Sequence, residues 1–219
     1  MKNIIFTSIA VTFVSAIFFV SCKAQGKEPG NTHKKRNMDD TIKTDTATFG
    51  AGCFWCVEAV FQNLNGVEKV ISGYSGGTVK QPSYKEICTG TTGHAEVCQI
   101  VFNPRVISYN ELLEVFWKMH DPTTLNRQGN DYGTQYRSVI FYHNEKQKEI
   151  AEFYKKKLNE SGAYESPVIT EISPYSVFYA AENYHQNYYN ENGDQPYCQF
   201  VIQPKVEKFK KVFKAKLKH

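Results

Sequence analysis

The sequence predicts an α+β domain: an antiparallel sheet with helices packed on one face. Two observations carry that reading. Short runs with period-two alternation of apolar residues, such as Val67 to Tyr74 and His94 to Phe102, are interleaved with stretches whose apolar residues recur at helical spacing. Two of the helical stretches also begin with a capping-box pair, Ser83 with Glu86 and Ser108 with Glu111.

Thr46 to Gly50 reads as the first strand and Cys53 to Leu64 as the first helix, with Val57, Val60, Phe61 and Leu64 on its apolar face. Asn65-Gly66 ends that helix, Val67 to Tyr74 is the second strand, and Ser75-Gly76-Gly77 turns the chain. Pro82 to Glu86 is a short capped helix, and His94 to Phe102 is the third strand. Ala95, Val97 and Val101 lie on one face of that strand, and Glu96, Cys98, Ile100 and Phe102 on the other. Ser108 to His120 is the clearest helix, burying Leu112, Leu113, Val115 and Phe116. Arg137 to Tyr142 is a strand, Asn144 to Ser161 a long charged helix, and Val168 to Ile172 a fifth strand. Ala180 to Tyr189 and Val206 to Leu217 read as extra C-terminal helices. The order strand-helix-strand, given twice, resembles a ferredoxin-like two-layer plait built of split β-α-β units.

At 219 residues the chain has room for one domain plus extensions. The net charge of +4 is too small to point to nucleic acid, and much of it sits in the tail Lys205 to His219, read as a solvated helix face. With 14 Tyr and 15 Phe, the chain has aromatics to spare for lining a pocket. Lys2 followed by the uncharged run Ile4 to Val20 has the form of an export signal. An uncleaved anchor and simple secretion are the alternatives. Ser21-Cys22 after that run resembles a bacterial lipoprotein signal, in which Cys22 is lipidated. The expected organisation is a leader over 1–22, a flexible polar tether over 23–45 and the folded domain over 46–219. The expected location is the bacterial cell envelope, lipid-anchored and facing the periplasm.

With Cys22 set aside, Cys53, Cys56, Cys88, Cys98 and Cys198 remain. An odd number in a chain this long suits functional thiols better than a disulfide framework. The stretch Gly50-Ala51-Gly52-Cys53-Phe54-Trp55-Cys56-Val57-Glu58 reads as strand end, glycine turn and helix start. Cys53 at the first turn of a helix would meet unpaired N–H groups and the positive end of the dipole, which favours the nucleophilic thiolate. Phe54 and Trp55 supply an apolar wall beside it. Glu96 is a carboxylate on an otherwise apolar strand face and needs a reason to be there. Cys88 and Cys98 read as buried small residues, and His94 and His185 as orienting or packing groups.

Gly52-Cys53-Phe54-Trp55, Gly93-His94-Ala95-Glu96-Val97 and Asp131-Tyr132-Gly133-Thr134-Gln135-Tyr136-Arg137-Ser138 together resemble the A-type peptide methionine sulfoxide reductases. Tyr84, Tyr184-His185-Gln186 and Tyr197-Cys198 extend the resemblance, which runs from about Thr46 to Phe213. It implies reduction of the S epimer of methionine sulfoxide, free or in proteins, with no cofactor. The Cys53 thiolate would attack the sulfoxide sulfur, Glu96 would protonate its oxygen, and Tyr84 and Tyr136 would donate hydrogen bonds to it. Phe54 and Trp55 would hold the S-methyl group, and Asp131 would orient water or polar substrate atoms. The resulting Cys53 sulfenic acid would condense with Cys198, which the resemblance favours as resolving residue. Cys56, one turn beyond Cys53, could instead resolve directly or pass the disulfide on. A thioredoxin-like dithiol would then reduce the bridge. The chain is expected to act as a monomer, without nucleic acid, and to meet the membrane through its lipid anchor.

Three other readings compete with this one. Cys53-x-x-Cys56 is half of a zinc spacing, but Cys88 and Cys98 do not form a second close pair. A thioredoxin-like dithiol oxidoreductase acting on disulfides shares the motif, but the bulky Phe54 and Trp55 would crowd a protein disulfide. The third is a non-enzymatic, lipid-anchored binding protein.

Overall fold

The structure, a computed structural model, describes residues 43–218. The expected leader with Cys22, and all but the last three residues of the expected tether, lie outside the described residues. Asp45, assigned to the tether, opens the first strand instead.

In chain order the first half holds β1 (Asp45–Ala51), α1 (Phe54–Phe61), β2 (Val67–Ser75), α2 (Tyr84–Ile87), β3 (Ala95–Phe102) and α3 (Tyr109–Met119). The second half holds β4 (Arg127–Gln128), β5 (Asp131–Tyr132), β6 (Ser138–Tyr142), α4 (Glu145–Ser161), β7 (Glu171–Pro174), β8 (Phe178–Ala180), α5 (Tyr188–Glu191) and α6 (Gln203–Val212). One sheet has the order β7-β6-β1-β3-β2-β8, and β4 and β5 form a separate hairpin. β1 is central and pairs antiparallel with β3 and β6, which is why its residues from Ala47 onward are buried regardless of alternation. β2 pairs antiparallel with β3 and β8.

The sheet is not purely antiparallel as expected, because β7 runs parallel to β6. The long helix α4 lies between those two strands in sequence and provides the crossover that a parallel pair requires. Phe49 on β1 anchors the main core, its ring 5.0 Å from that of Phe116 on α3 and 5.8 Å from that of Phe61 on α1. On a second, smaller cluster, Ala95, Val97, Val139 and Phe141 pack beneath Tyr175 and Phe178. Both predicted capping boxes form: Ser83 accepts from the Glu86 N–H and Ser108 from the Glu111 N–H, and each Glu side chain returns the contact.

Three predicted elements differ. The strand expected over 168–172 starts at Glu171, because the Val168 and Ile169 N–H groups are taken by the Asn159 side chain and the Pro122 carbonyl. The helix expected over 180–189 is instead the end of β8, one 3-10 turn (Asn183–His185) and the short α5. Asn187 sits there in the left-handed region, which stops a continuous helix. The Gln186 amide also accepts the Ser72 N–H and donates to the Ser72 carbonyl, extending the edge of β2. The last helix starts early, at Gln203, with Pro204 in its first turn, where the ring is tolerated.

The turn between β1 and α1 depends on Gly52. Its φ is +87°, and a Cβ there would lie 2.7 Å from the Gln128 side chain. Gly52→Ala is expected to lower stability by about 2 kcal/mol, combining left-handed strain and overlap. A lower urea midpoint at unchanged slope would show it; an unchanged midpoint would refute it.

Candidate active site

Cys53 is the N-cap residue of α1, and its carbonyl accepts the first helical bonds, from Cys56 and Val57. The next N–H of the helix, on Phe54, donates to Glu96 Oε2 at 3.1 Å. Glu96 belongs to β3, in register with Tyr74 on β2, and is buried. Burial pushes its carboxyl up to about 8, against the pull of the Phe54 N–H. The nearby Asp131 and Cys56 raise it further. Near neutral pH the group is therefore a protonated acid one residue from Cys53.

Cys53, Phe54, Trp55, Tyr84, Glu96, Asp131, Tyr136 and Tyr197 line one cavity of about 200 Å³. All the residues expected to bind substrate or act with Cys53 are thus together. Tyr84 opens α2 and Tyr136 closes a 3-10 turn (Thr134–Tyr136), and Thr134 Oγ1 donates to the Gly90 carbonyl at 2.8 Å, tying the two segments. Burial, with Glu96 nearby, raises both phenols above the ordinary tyrosine value, so both remain O–H donors. Asp131 comes from the β4–β5 hairpin and accepts the Tyr197 hydroxyl at 2.8 Å. Tyr197 also neighbours Cys53 in the same cavity, and burial and the Cys53 charge raise its phenol above the ordinary tyrosine value.

The sulfur environment corrects one expectation. The helix start was expected to hold Cys53 as a thiolate. Burial instead pushes its thiol well up, and Cys56 and Glu96 add to the effect. Cys53 and Cys56 lie three residues apart at the helix start and titrate as a pair. The Cys56 pKa comes down to about 7. The neighbouring Cys53 thiol is the main cause, burial opposes it, and the ammonium of Lys205 adds to it. Cys198 is buried outside the cavity lining, at the start of a π turn (Cys198–Ile202), and raises its pKa through burial and the charge of Cys56. Cys98 is buried as expected and donates to the Phe54 carbonyl at 3.4 Å, whereas Cys88, expected to be buried, is exposed beside Tyr84. Among the described residues, no group of three His, Cys, Asp or Glu side chains is placed to hold a metal ion.

Several supporting residues were not singled out from the sequence. Tyr188 stacks on Trp55, with ring centroids 3.7 Å apart and planes 7° from parallel. Glu182 accepts the Tyr84 N–H at 2.8 Å and the Tyr74 hydroxyl at 3.0 Å, fixing the start of α2 against β2. Glu58, buried on α1, accepts the backbone N–H groups of Asn187 and Tyr188. Tyr197 was seen only as part of a late motif; a tyrosine beside a cysteine carries no spacing signal of its own. His94 does act as an orienting group. Its Nδ1 accepts the Gly77 N–H, so Nε2 carries the proton donated to the Val79 carbonyl at 2.7 Å.

A cysteine at a helix start, next to a second thiol and a buried acid inside an aromatic cavity, belongs to a thiol-dependent oxidoreductase. The comparisons make the class specific. The family profile described as "Peptide methionine sulfoxide reductase" matches residues 45–217. The chain is 54% identical over 174 residues to peptide methionine sulfoxide reductase MsrA of Saccharolobus solfataricus, covering 80% of this chain and 97% of that one. It is 53% identical over 173 residues to the MsrA of Acinetobacter baumannii, covering 79% and 98%. Among solved structures, reduced Mxr1 of Saccharomyces cerevisiae is similar, with a TM-score of 0.67 and 36% identity over 73% of this chain and 91% of that one. Methionine sulfoxide reductase A of Corynebacterium diphtheriae has a TM-score of 0.61 and 37% identity over 68% and 75%. This chain therefore belongs to the peptide methionine sulfoxide reductase family, and its reaction is the reduction of the S epimer of methionine sulfoxide to methionine. The dithiol oxidoreductase alternative is not favoured.

The Glu96 proton also bears on stability. Between the ordinary carboxyl value of 4.5 and about 8 the native state holds a proton that the unfolded chain releases. Stability therefore falls as pH rises through that window. Glu96→Gln removes this linkage and can still accept the Phe54 N–H. It is expected to match wild type near the bottom of the window and to exceed it by about 1–3 kcal/mol at the top. Melting temperatures across the window check this; a constant difference at every pH would refute it.

Proposed function

We propose that Cys53 is the nucleophile and Glu96 the general acid of this sulfoxide reduction. The observation that carries the assignment is the Phe54 N–H to Glu96 bond, which keeps a protonated carboxyl beside the first turn that presents Cys53. The S-methyl group would lie against Phe54 and Trp55, a sulfur–aromatic contact of about 0.3–1.5 kcal/mol. The sulfoxide oxygen would accept from Glu96, Tyr84 and Tyr136. Proton transfer from Cys53 to the neighbouring Cys56 places charge on Cys53, and the Tyr197 hydroxyl can turn from Asp131 to meet it. This gives Asp131 the role of holding Tyr197. The Cys53 sulfur bonds to the sulfoxide sulfur while Glu96 protonates the oxygen. The oxygen then passes to Cys53 as a sulfenic acid and methionine leaves.

Resolution runs first through Cys56, which lies one turn beyond Cys53 and titrates with it, and then through Cys198, which is close enough to feel the charge of Cys56. Residues three apart at a helix start have Cβ atoms about 5–6 Å apart, so a bridge needs only a modest adjustment. A thioredoxin-like dithiol would reduce the bridge. Mxr1 of Saccharomyces cerevisiae has also been crystallised in a complex with Trx2.

Two further readings belong here. The central strand order β6-β1-β3-β2 with α1 and α3 supports a ferredoxin-like plait extended at both sheet edges. The run Ile4 to Val20 before Cys22 supports an exported, lipid-anchored protein. Cys22→Ser should move the protein from the membrane to the soluble fraction; unchanged membrane association would refute lipidation.

Mixing the protein with one equivalent of methionine S-sulfoxide in the absence of reductant tests the chemistry. Wild type is expected to release about one equivalent of methionine. Cys53→Ser should release none, and Glu96→Gln should slow release about 10²- to 10⁴-fold. Wild-type rates from Cys53→Ser would remove the assignment at its first step.

A further inference from the structure

The lysines of the C-terminal helix do not all face water. Lys208, Lys210 and Lys211 are exposed, but Lys205 is half-buried, and its Nζ lies 3.6 Å from the Cys56 sulfur. Lys205 was grouped with the solvated tail in the sequence; the early start of α6 is what turns it inward. Helix α6 follows directly on the π turn (Cys198–Ile202), whose helical path continues into it and carries the Lys205 side chain to the Cys56 sulfur.

We propose that Lys205 is the positioning residue that holds Cys56 as the thiolate that closes the Cys53–Cys56 disulfide. The proposal rests on the assignment of Cys53 as nucleophile and Cys56 as first resolving residue. The step is balanced. The Cys56 thiolate attacks the sulfur of the Cys53 sulfenic acid, the S–S bond forms and the S–O bond breaks. Hydroxide leaves and is protonated to water. Cys53 is reduced and Cys56 oxidised, each by one electron. No outside oxidant is needed, because the sulfoxide supplied the oxygen.

Other groups act on Cys56 from every side. Cys53 lies on the preceding turn, Glu96 and Cys98 on β3, Asp131 on β5, and Tyr197 and Cys198 at the start of the π turn. The carboxylate of Asp131 raises the Cys56 pKa. Lys205 is the cation that opposes it, and it also acts on His120 at the end of α3. A thiol attacks only as its thiolate, so rate follows the ionised fraction. Losing the ammonium should raise the Cys56 pKa by about one unit, which lowers that fraction about fivefold at neutral pH.

The test uses the full chain as wild type, Lys205→Met, Lys205→Gln and Lys205→Arg. Each is mixed with one equivalent of methionine S-sulfoxide without reductant, from about pH 5 to about pH 9. Samples are quenched with an alkylating agent, and mass spectrometry follows free methionine and the Cys53–Cys56 bridge separately. All four proteins should release methionine. Bridge formation in Lys205→Met and Lys205→Gln should lag wild type about fivefold at neutral pH and converge with it at high pH, and Lys205→Arg should restore the wild-type profile. Lys205→Gln keeps the polar reach if Lys205→Met folds poorly. Bridge rates in the uncharged variants equal to wild type at every pH, or slowed equally at every pH, would overturn the role of Lys205. Wild-type protein that releases methionine but bridges Cys53 to Cys198 while Cys56 stays free would overturn the Cys56 assignment instead. Wild-type protein that releases no methionine would overturn the Cys53 assignment.

Discussion

The bond from the Phe54 N–H to the Glu96 carboxyl organises this site. A buried carboxyl is costly in its charged form, and the first helical N–H of α1 gives it a partner without a countercharge. The acid therefore stays protonated and stays next to Cys53. The arrangement depends on close approach of β1 to β3. Gly50 on β1 leaves no room for a Cβ, which would lie 2.9 Å from the Glu96 carbonyl and 2.8 Å from Val139. The small residue lets the two central strands bring the acid and the cysteine turn together, and Gly52 then reverses the chain into α1.

This geometry separates two tasks that a lone cysteine would have to combine. Burial keeps Cys53 protonated and suits it to an apolar pocket that admits a methyl sulfoxide. The neighbouring Cys56 has the lowered pKa of the pair, and Lys205 faces its sulfur. Glu96, Tyr84 and Tyr136 line one cavity, and hydrogen bonds made from its buried walls are stronger than in water. The burial that raises the Glu96 pKa also makes it a source of pH-dependent instability, so part of the stability is given up at this cavity.

Much of this was readable in the sequence, for local reasons. Both capping boxes, the alternation of β3 and the turn-to-helix placement of Cys53 are set by residues within a few positions of one another. Glu96 stood out because it breaks an apolar face. What failed depends on distant partners. The segment from Ala180 to Tyr189 has helical spacing, but the Gln186 amide is captured by Ser72 on β2 and Asn187 turns left-handed. The parallel placement of β7 follows from the packing of α4, which no local pattern reports. The helix start of Cys53 favours a thiolate in sequence, whereas the burial that raises its pKa comes from partners no local pattern reports. Lys205 was hidden among seven tail lysines that look alike in sequence.

The late segment ties these features together. Glu58 on α1 accepts the N–H groups that open α5, and Trp55 stacks on Tyr188 in the same segment. The stacking alone is worth about 0.5–1.5 kcal/mol beyond area burial. The segment then delivers Tyr197 to Cys53 and Asp131, Cys198 to the neighbourhood of Cys56, and, through the π turn, Lys205 to the Cys56 sulfur. A π turn adds one residue to the helical path and shifts the facing of everything after it, which is a common device at functional sites. Helix α1 is therefore clamped at its outer face by the same stretch of chain that carries Cys198 and Lys205.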